Sequence, residues 1–219
     1  SVDCSRSWLG TYIQDRPDQA ITSLAIDPVT PSIIYAGDEQ GQVFKSTDFA
    51  ESWTNIARFG NEVREILVDP VNTSRIYVAT ALSGLRRSTD SGDSWQDLKT
   101  GLAPYSGSNQ HRKLIFNPSR TNSLLYASRY GILRTDNGGD SWASIPLLSA
   151  PGTAPIFSMA VSPTTDNELY YATDRTLYST FDGGQNWVAK QNGTTRIPTH
   201  LFVDPVETSV LYMTVAAPL

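Results

Sequence analysis

With 219 residues, 39% of them hydrophobic and 18% charged, the chain has an ordinary globular composition that can bury a substantial core. Its formal charge is −5 and no run of Lys or Arg tracks along it, so it lacks the electrostatic footprint of a nucleic-acid binder. Its apolar runs fall far short of the roughly 20 residues of a membrane-spanning helix, and its single cysteine, Cys4, excludes an internal disulfide or a cysteine-based zinc site.

The chain opens on SVDCSRSW, residues 1–8, and this pattern returns at regular intervals. STDFAESW (46–53), STDSGDSW (88–95), TDNGGDSW (135–142) and TFDGGQNW (180–187) follow the same outline, [ST]-x-[DN]-x-[GA]-x-[SN]-W; in the first copy Ser5 takes the glycine place. Trp8, Trp53, Trp95, Trp142 and Trp187 are the only five tryptophans, spaced by 45, 42, 47 and 45 residues. A second marker keeps the period: AIDPVTPSIIYA (25–36), LVDPVNTSRIYVA (67–79), IFNPSRTNSLLYA (115–127), AVSPTTDNELYYA (160–172) and FVDPVETSVLYMT (202–214). In each, a β-favouring run is stopped by a proline that cannot donate in a ladder, then restarted by an aliphatic-tyrosine run. A third strand, such as GQVFKS or YGILRT, leads into the motif, and a fourth starts at its tryptophan.

Four strands per repeat predict an all-β chain with blades at 21–57, 63–99, 112–146 and 156–190, whose first strands begin near Ile21, Val63, Arg112 and Ile156. Residues 199–219 supply only the inner strands of a fifth blade, beginning near Thr199, while residues 1–13 supply a motif turn and an outer strand. In this reading the two ends share one blade and the whole chain, 1–219, is a single five-bladed ring; in the other, it is a five-repeat piece of a longer array. The motif lies at hairpin distance between strands. Its Asp or Asn (Asp3, Asp48, Asp90, Asn137, Asp182) is expected to tie the turn by accepting N–H bonds two residues on, its Gly to supply positive φ, and its Trp to pack between hairpins. Five copies of one catalytic aspartate make no mechanistic sense, whereas five copies of one turn make a scaffold.

The motif resembles the Asp-box, or BNR repeat, of sialidases, sortilin-type receptors, xyloglucanase-type glycoside hydrolases and the photosystem II stability factor family. This resemblance spans the chain and implies a β-propeller of four-stranded antiparallel blades. An extracytoplasmic setting (secreted, periplasmic or cell-surface) is expected, with the export signal absent from this chain. It does not transfer a function, because these families share the turn and differ in their sites.

In a propeller the variable loops gather at the end of the blades opposite the box turns, and binding is expected there. That mouth is arginine-rich. Its candidate binding residues are Arg64, Arg112, Arg129, Tyr130, Asp174, Arg175, Arg196 and His200, joined by Tyr105 and His111 from the insertion GLAPYSGSNQHR (101–112), which exceeds the repeat. An arginine-bearing mouth on an acidic body suits an anionic or hydroxyl-rich partner. Non-catalytic recognition of a protein is the leading reading. A lectin is expected to repeat its binding residues in every blade, and these loops do not repeat. A glycoside hydrolase is the third reading: Asp38, Glu65 and Asp174 are its candidate carboxylates, and TRIP (195–198) echoes a sialidase motif around Arg196 but lacks its aromatic residue. No catalytic residue, metal site or cofactor is assigned, since two histidines without carboxylates at ligand spacing do not make a metal site. If the ends share a blade, deleting residues 1–13 lowers the melting temperature sharply in a thermal scan; an unchanged midpoint rejects the shared blade.

Overall fold

The structure, a computed structural model, describes Gly10, Ile13 and residues 19–217. Asp3 and Trp8, with nearly all of the expected outer strand of 1–13, lie outside the described residues. The chain divides into two compact units, one of Ser1–Val78 with Arg87–Trp95, the other of Ala79–Arg86 with Gln96–Leu219.

Every sheet is an antiparallel meander in which sequence neighbours pair. Strands β1–β4 (Ile21–Ile26, Ile34–Asp38, Gln42–Ser46, Thr54–Arg58) form the first and β5–β8 (Val63–Val68, Ile76–Thr80, Gly84–Ser88, Gln96–Asp97) the second. After one turn of helix, α1 (Lys99–Leu102), come β9–β12 (His111–Phe116, Leu124–Ser128, Ile132–Thr135, Ala143–Ile145) and β13–β16 (Ser158–Val161, Leu169–Ala172, Thr176–Thr180, Val188–Gln191). Among the described residues, strands β17 (Ile197–Val203) and β18 (Leu211–Ala216) form a two-stranded sheet. The first strands thus begin within two residues of the expected positions, at Ile21, Val63, His111, Ser158 and Ile197. Helix α1 was not foreseen; it lies at the entry to the insertion, where Asp97 Oδ1 accepts the Lys99 N–H at 2.9 Å as the chain leaves the shortened β8.

The strand ends explain the two sequence markers. At the Asp-Pro positions the carboxylate ties its own turn: Asp27 accepts the N–H of Val29 and Thr30, Asp69 that of Val71 and Asn72, and Asp204 that of Val206 and Glu207. The Asp-box is tied differently from the sequence expectation. Its Asp or Asn takes the backbone N–H four residues on rather than two, from Ser52, Ser94, Ser141 and Asn186 at 2.9–3.0 Å. The opening Ser or Thr makes the second tie: its hydroxyl donates to the Asp or Asn and accepts the N–H at the glycine place, for example Gly92 N to Ser88 Oγ at 2.8 Å. The whole turn is docked on its own blade by one backbone bond, Phe49 N to Ser32 O, Ser91 N to Ser74 O, Gly138 N to Asn122 O and Gly183 N to Asn167 O.

Two consecutive residues of each described box are left-handed, not the glycine alone: Phe49 and Ala50, Ser91 and Gly92, Gly138 and Gly139, Gly183 and Gly184. The second of these also meets its neighbour sheet. A Cβ on Gly92 would stand 2.6 Å from Ile56 Cδ1, one on Gly139 2.8 Å from Leu98 Cδ1, and one on Gly184 would overlap Ile145 Cγ2. The indole closes over the same spot. Trp95 meets Phe59 edge-on at 5.3 Å, Trp142 lies 5.8 Å from the Tyr126 ring, and Trp187 meets Tyr171 edge-on at 4.9 Å.

Within the units the cores form where sheet faces meet. Tyr35, Val43, Val63, Ile66 and Val78 make one cluster; Leu125, Ile132, Ile156, Met159 and Tyr171 make another. The repeated tyrosine reports position in the series: Tyr35, Tyr77, Tyr126 and Tyr171 are at most 1% exposed, whereas Tyr212 is 44% exposed. At the first sheet Leu24 is 64% exposed, while its repeat counterparts Ile66, Leu114 and Met159 are buried.

Two outcomes follow. Ala50→Gly relieves a left-handed alanine and raises stability by about 0.5–1 kcal/mol, whereas Gly184→Ala, set against β-branched Ile145, costs about 2–3 kcal/mol; urea unfolding of the two variants reads both. Hydroxyl and backbone bonds from Ser52 and Ser94, and backbone and amide bonds from Asn186, hold the Asp48, Asp90 and Asp182 carboxyls down to about 2 from the usual 3.8. A depressed carboxyl stabilises the fold above its unfolded value, and that contribution is lost as pH falls from 3.8 to about 2. The triple variant Asp48→Asn, Asp90→Asn, Asp182→Asn, which copies the natural Asn137, is therefore expected to show a flatter acid limb in stability measured across that window.

Candidate functional site

The end of each sheet opposite its box carries the turn between second and third strands and the connection to the next sheet. In the larger unit three such segments converge: the insertion after α1, the turn between β10 and β11, and the loop between β12 and β13. Their meeting is fixed by hydrogen bonds. Tyr126 OH donates to Ser108 O at 2.6 Å from inside the sheet, and Ser108 Oγ donates to Leu102 O at 3.1 Å, so the insertion folds back as a packed segment. Arg129 N donates to Gln110 O at 3.0 Å, and Gly152 N to Tyr130 O at 3.0 Å, which stitches the insertion and the later loop to either side of one turn.

The stitching brings Arg112 and Arg129 together. With Gln110, Ser128 and Thr153 they line one polar cleft. Both arginines are solvent-exposed, and neither has an ion-pair partner among the described residues. The arginines at the box end differ sharply: Arg120 and Arg134 share Asp166 and both also reach Asp136, four charges that neutralise one another. In the cleft two like charges face water among uncharged lining residues, and an entering carboxylate would gain charge-assisted bonds without displacing an existing partner. Gly107 lies beside the Arg129 stem, where a Cβ would stand in ordinary van der Waals contact at 3.4 Å from Arg129 Cβ.

The other candidates separate into different roles. Tyr105 is held by its hydroxyl, which donates to Trp142 O at 2.6 Å, and meets Tyr130 edge-on at 5.1 Å. His111 stacks on Tyr126 at 5.8 Å and 16° at the start of β9. Arg175 and Asp174 stand exposed on the turn between β14 and β15, where Asp174 Oδ1 accepts the Arg175 N–H at 3.0 Å. Arg196 is exposed just before β17, and His200 Nδ1 lies 3.3 Å from Thr214 Oγ1. In the smaller unit Arg64 pairs with Glu62 at 2.8 Å. There Asp38, a candidate carboxylate for hydrolysis, is fully buried and committed to the Gln40 and Gln42 N–H groups and the Gln42 amide. Sequence reasoning did not single out Gln110 or Thr153. Both lie in loops that exceed the repeat, which was the only available signal.

Among the described residues no group of three or more His, Cys, Asp or Glu is placed to hold a metal ion, and no helix is long and apolar enough to cross a membrane.

Residues 41–131 match the family model described as Sortilin, neurotensin receptor 3. No curated protein matches the chain. Among solved structures, an ancestral GH74 enzyme is similar at a TM-score of 0.71 and 20% identity, over 86% of this chain and 28% of that one. A chain of the nidogen/laminin complex is similar at 0.66 and 15%, over 91% and 73%. YCF48 bound to D1 peptide is similar at 0.54 and 17%, over 97% and 84%. The chain thus spans well under a third of the GH74 enzyme's length, and at these identities the likeness is one of fold. Box turns tied by the same bonds in four successive sheets, the match over residues 41–131 and these neighbours agree: the chain is an Asp-box repeat protein with the fold of β-propeller blades.

Proposed function

We propose that this propeller is a non-catalytic binding scaffold that recognises a protein partner by an anionic group, at the cleft holding Arg112 and Arg129. The observation that carries the reading is that these two arginines, one on β9 and one on the turn between β10 and β11, line one cleft and lack an acidic partner among the described residues while Arg64, Arg120 and Arg134 each have one. A guanidinium presents a planar fork of donors that suits a carboxylate, and two at one cleft favour an acidic side chain or a chain terminus. Two structural neighbours support a protein partner, one bound to D1 peptide and one from a nidogen/laminin complex. The sortilin-type match and the nidogen/laminin neighbour support an extracytoplasmic setting.

A charge-assisted hydrogen bond contributes about 1.5–3 kcal/mol, roughly a ten- to hundredfold change in affinity. Arg112→Ala and Arg129→Ala are each expected to weaken binding of fluorescein-labelled acidic peptides by that factor and to flatten its salt dependence, read by fluorescence anisotropy. Arg120→Ala, at the box end, serves as the control and leaves binding unchanged. Wild-type binding to neutral oligosaccharides in preference to acidic peptides would reverse the assignment in favour of a lectin.

A further inference from the structure

The loop between β12 and β13 separates two recesses of opposite character. Gly152 and Thr153 close the polar cleft of Arg112 and Arg129. The preceding residues border an apolar recess lined by Tyr130, Ile132, Pro146, Leu147, Leu148 and Pro151. The two lie side by side, because Arg129 and Tyr130 are consecutive and line one recess each, and the Gly152 N–H bond to Tyr130 O pins the dividing loop between them.

The apolar recess is built on a firm base but not covered. Ile132 and Ile145 belong to the buried core of this unit, with Leu147 packed against it. Trp187 Nε1 donates to Pro146 O at 2.7 Å and fixes one wall. Leu148, in contrast, is 62% exposed at the recess. An apolar hollow with an exposed leucine gains from any side chain that displaces its water, and the neighbouring unneutralised cations restrict which ligand can bring that side chain there. A basic segment is repelled, and a purely acidic one leaves the hollow hydrated.

We propose that the mouth reads a two-part peptide signature: an acidic group held by Arg112 and Arg129, followed within two or three residues by a bulky aliphatic side chain seated against Tyr130, Leu147 and Leu148. Consecutive Cα atoms are about 3.8 Å apart, so a short extended segment spans from the Arg129 side to the Tyr130 side of the turn. This inference rests on the anionic-partner reading and adds the selectivity that charge alone does not supply.

The test uses the whole chain and three labelled hexapeptides, each amidated at its C-terminus so that the aspartate is the only carboxylate, read by anisotropy: Ser-Gly-Asp-Leu-Leu-Gly, the same peptide with both leucines replaced by alanine, and the same peptide with the aspartate replaced by lysine. The acidic leucine peptide is expected to bind at least about tenfold tighter than its alanine counterpart, the gain from burying an aliphatic side chain. Leu148→Ser, a change at an exposed position, is expected to abolish that ratio while leaving the alanine peptide's affinity unchanged. Equal affinity for the two acidic peptides overturns this inference and leaves the anionic-partner reading standing. Equal affinity for the lysine and aspartate peptides, or no binding by any of the three, overturns both.

Discussion

The architecture depends on a doubled left-handed turn held from both sides. Inside the turn, a hydroxyl and a carboxylate or amide divide the exposed N–H groups between them, the hydroxyl serving the glycine place and the acid the residue before the tryptophan. Outside it, an aliphatic side chain of the preceding sheet, Ile56, Leu98 or Ile145, presses where a Cβ would stand. Two successive left-handed residues are costly for L-amino acids, and the closeness of the neighbour leaves glycine as the residue that fits both demands. The tryptophan then covers the contact with an aromatic surface large enough to stabilise it.

That constraint explains why the fold was so legible in the sequence. Turn, indole and tyrosine recur because every sheet solves the same packing problem, and a period of about 44 residues is visible without any knowledge of partners. The less accurate expectations were local. The span of the carboxylate bond is not legible in the motif because the opening hydroxyl, as in Ser46 and Ser88, takes the N–H at the glycine place and leaves the acid the one further on. Helix α1 was hidden because KTGL carries no helical periodicity across a single turn.

The candidate site was legible only in part, for the complementary reason. Arg112 and Arg129 stood out singly as mouth arginines, but no repeat signal pairs them. Their meeting depends on the insertion folding back through the Tyr126 hydroxyl to Ser108 and on the Arg129 N–H bond to Gln110 O. The Arg129 bond has a counterpart in the first sheet, Glu39 N to Ala20 O, so the fold-back of the insertion through Tyr126 is what sets this site apart. His111 illustrates the converse: its place beside the mouth was readable, while its stacking on a core tyrosine was not. What repeats builds the frame, and what departs from the repeat builds the site.

The pressing of each box by the sheet before it also bears on how such a chain can be recombined. A sheet carries its own turn but not the aliphatic residue that completes it, so the self-sufficient segment is staggered: the outer strand of one sheet together with the box of the next. A duplication or exchange cut at the mouth loops would separate Ile56 from Gly92 or Ile145 from Gly184, whereas one cut between a box and the outer strand that follows it would carry each matched pair intact. Modular growth of the array is therefore favoured at boundaries that do not coincide with the blades a viewer would draw.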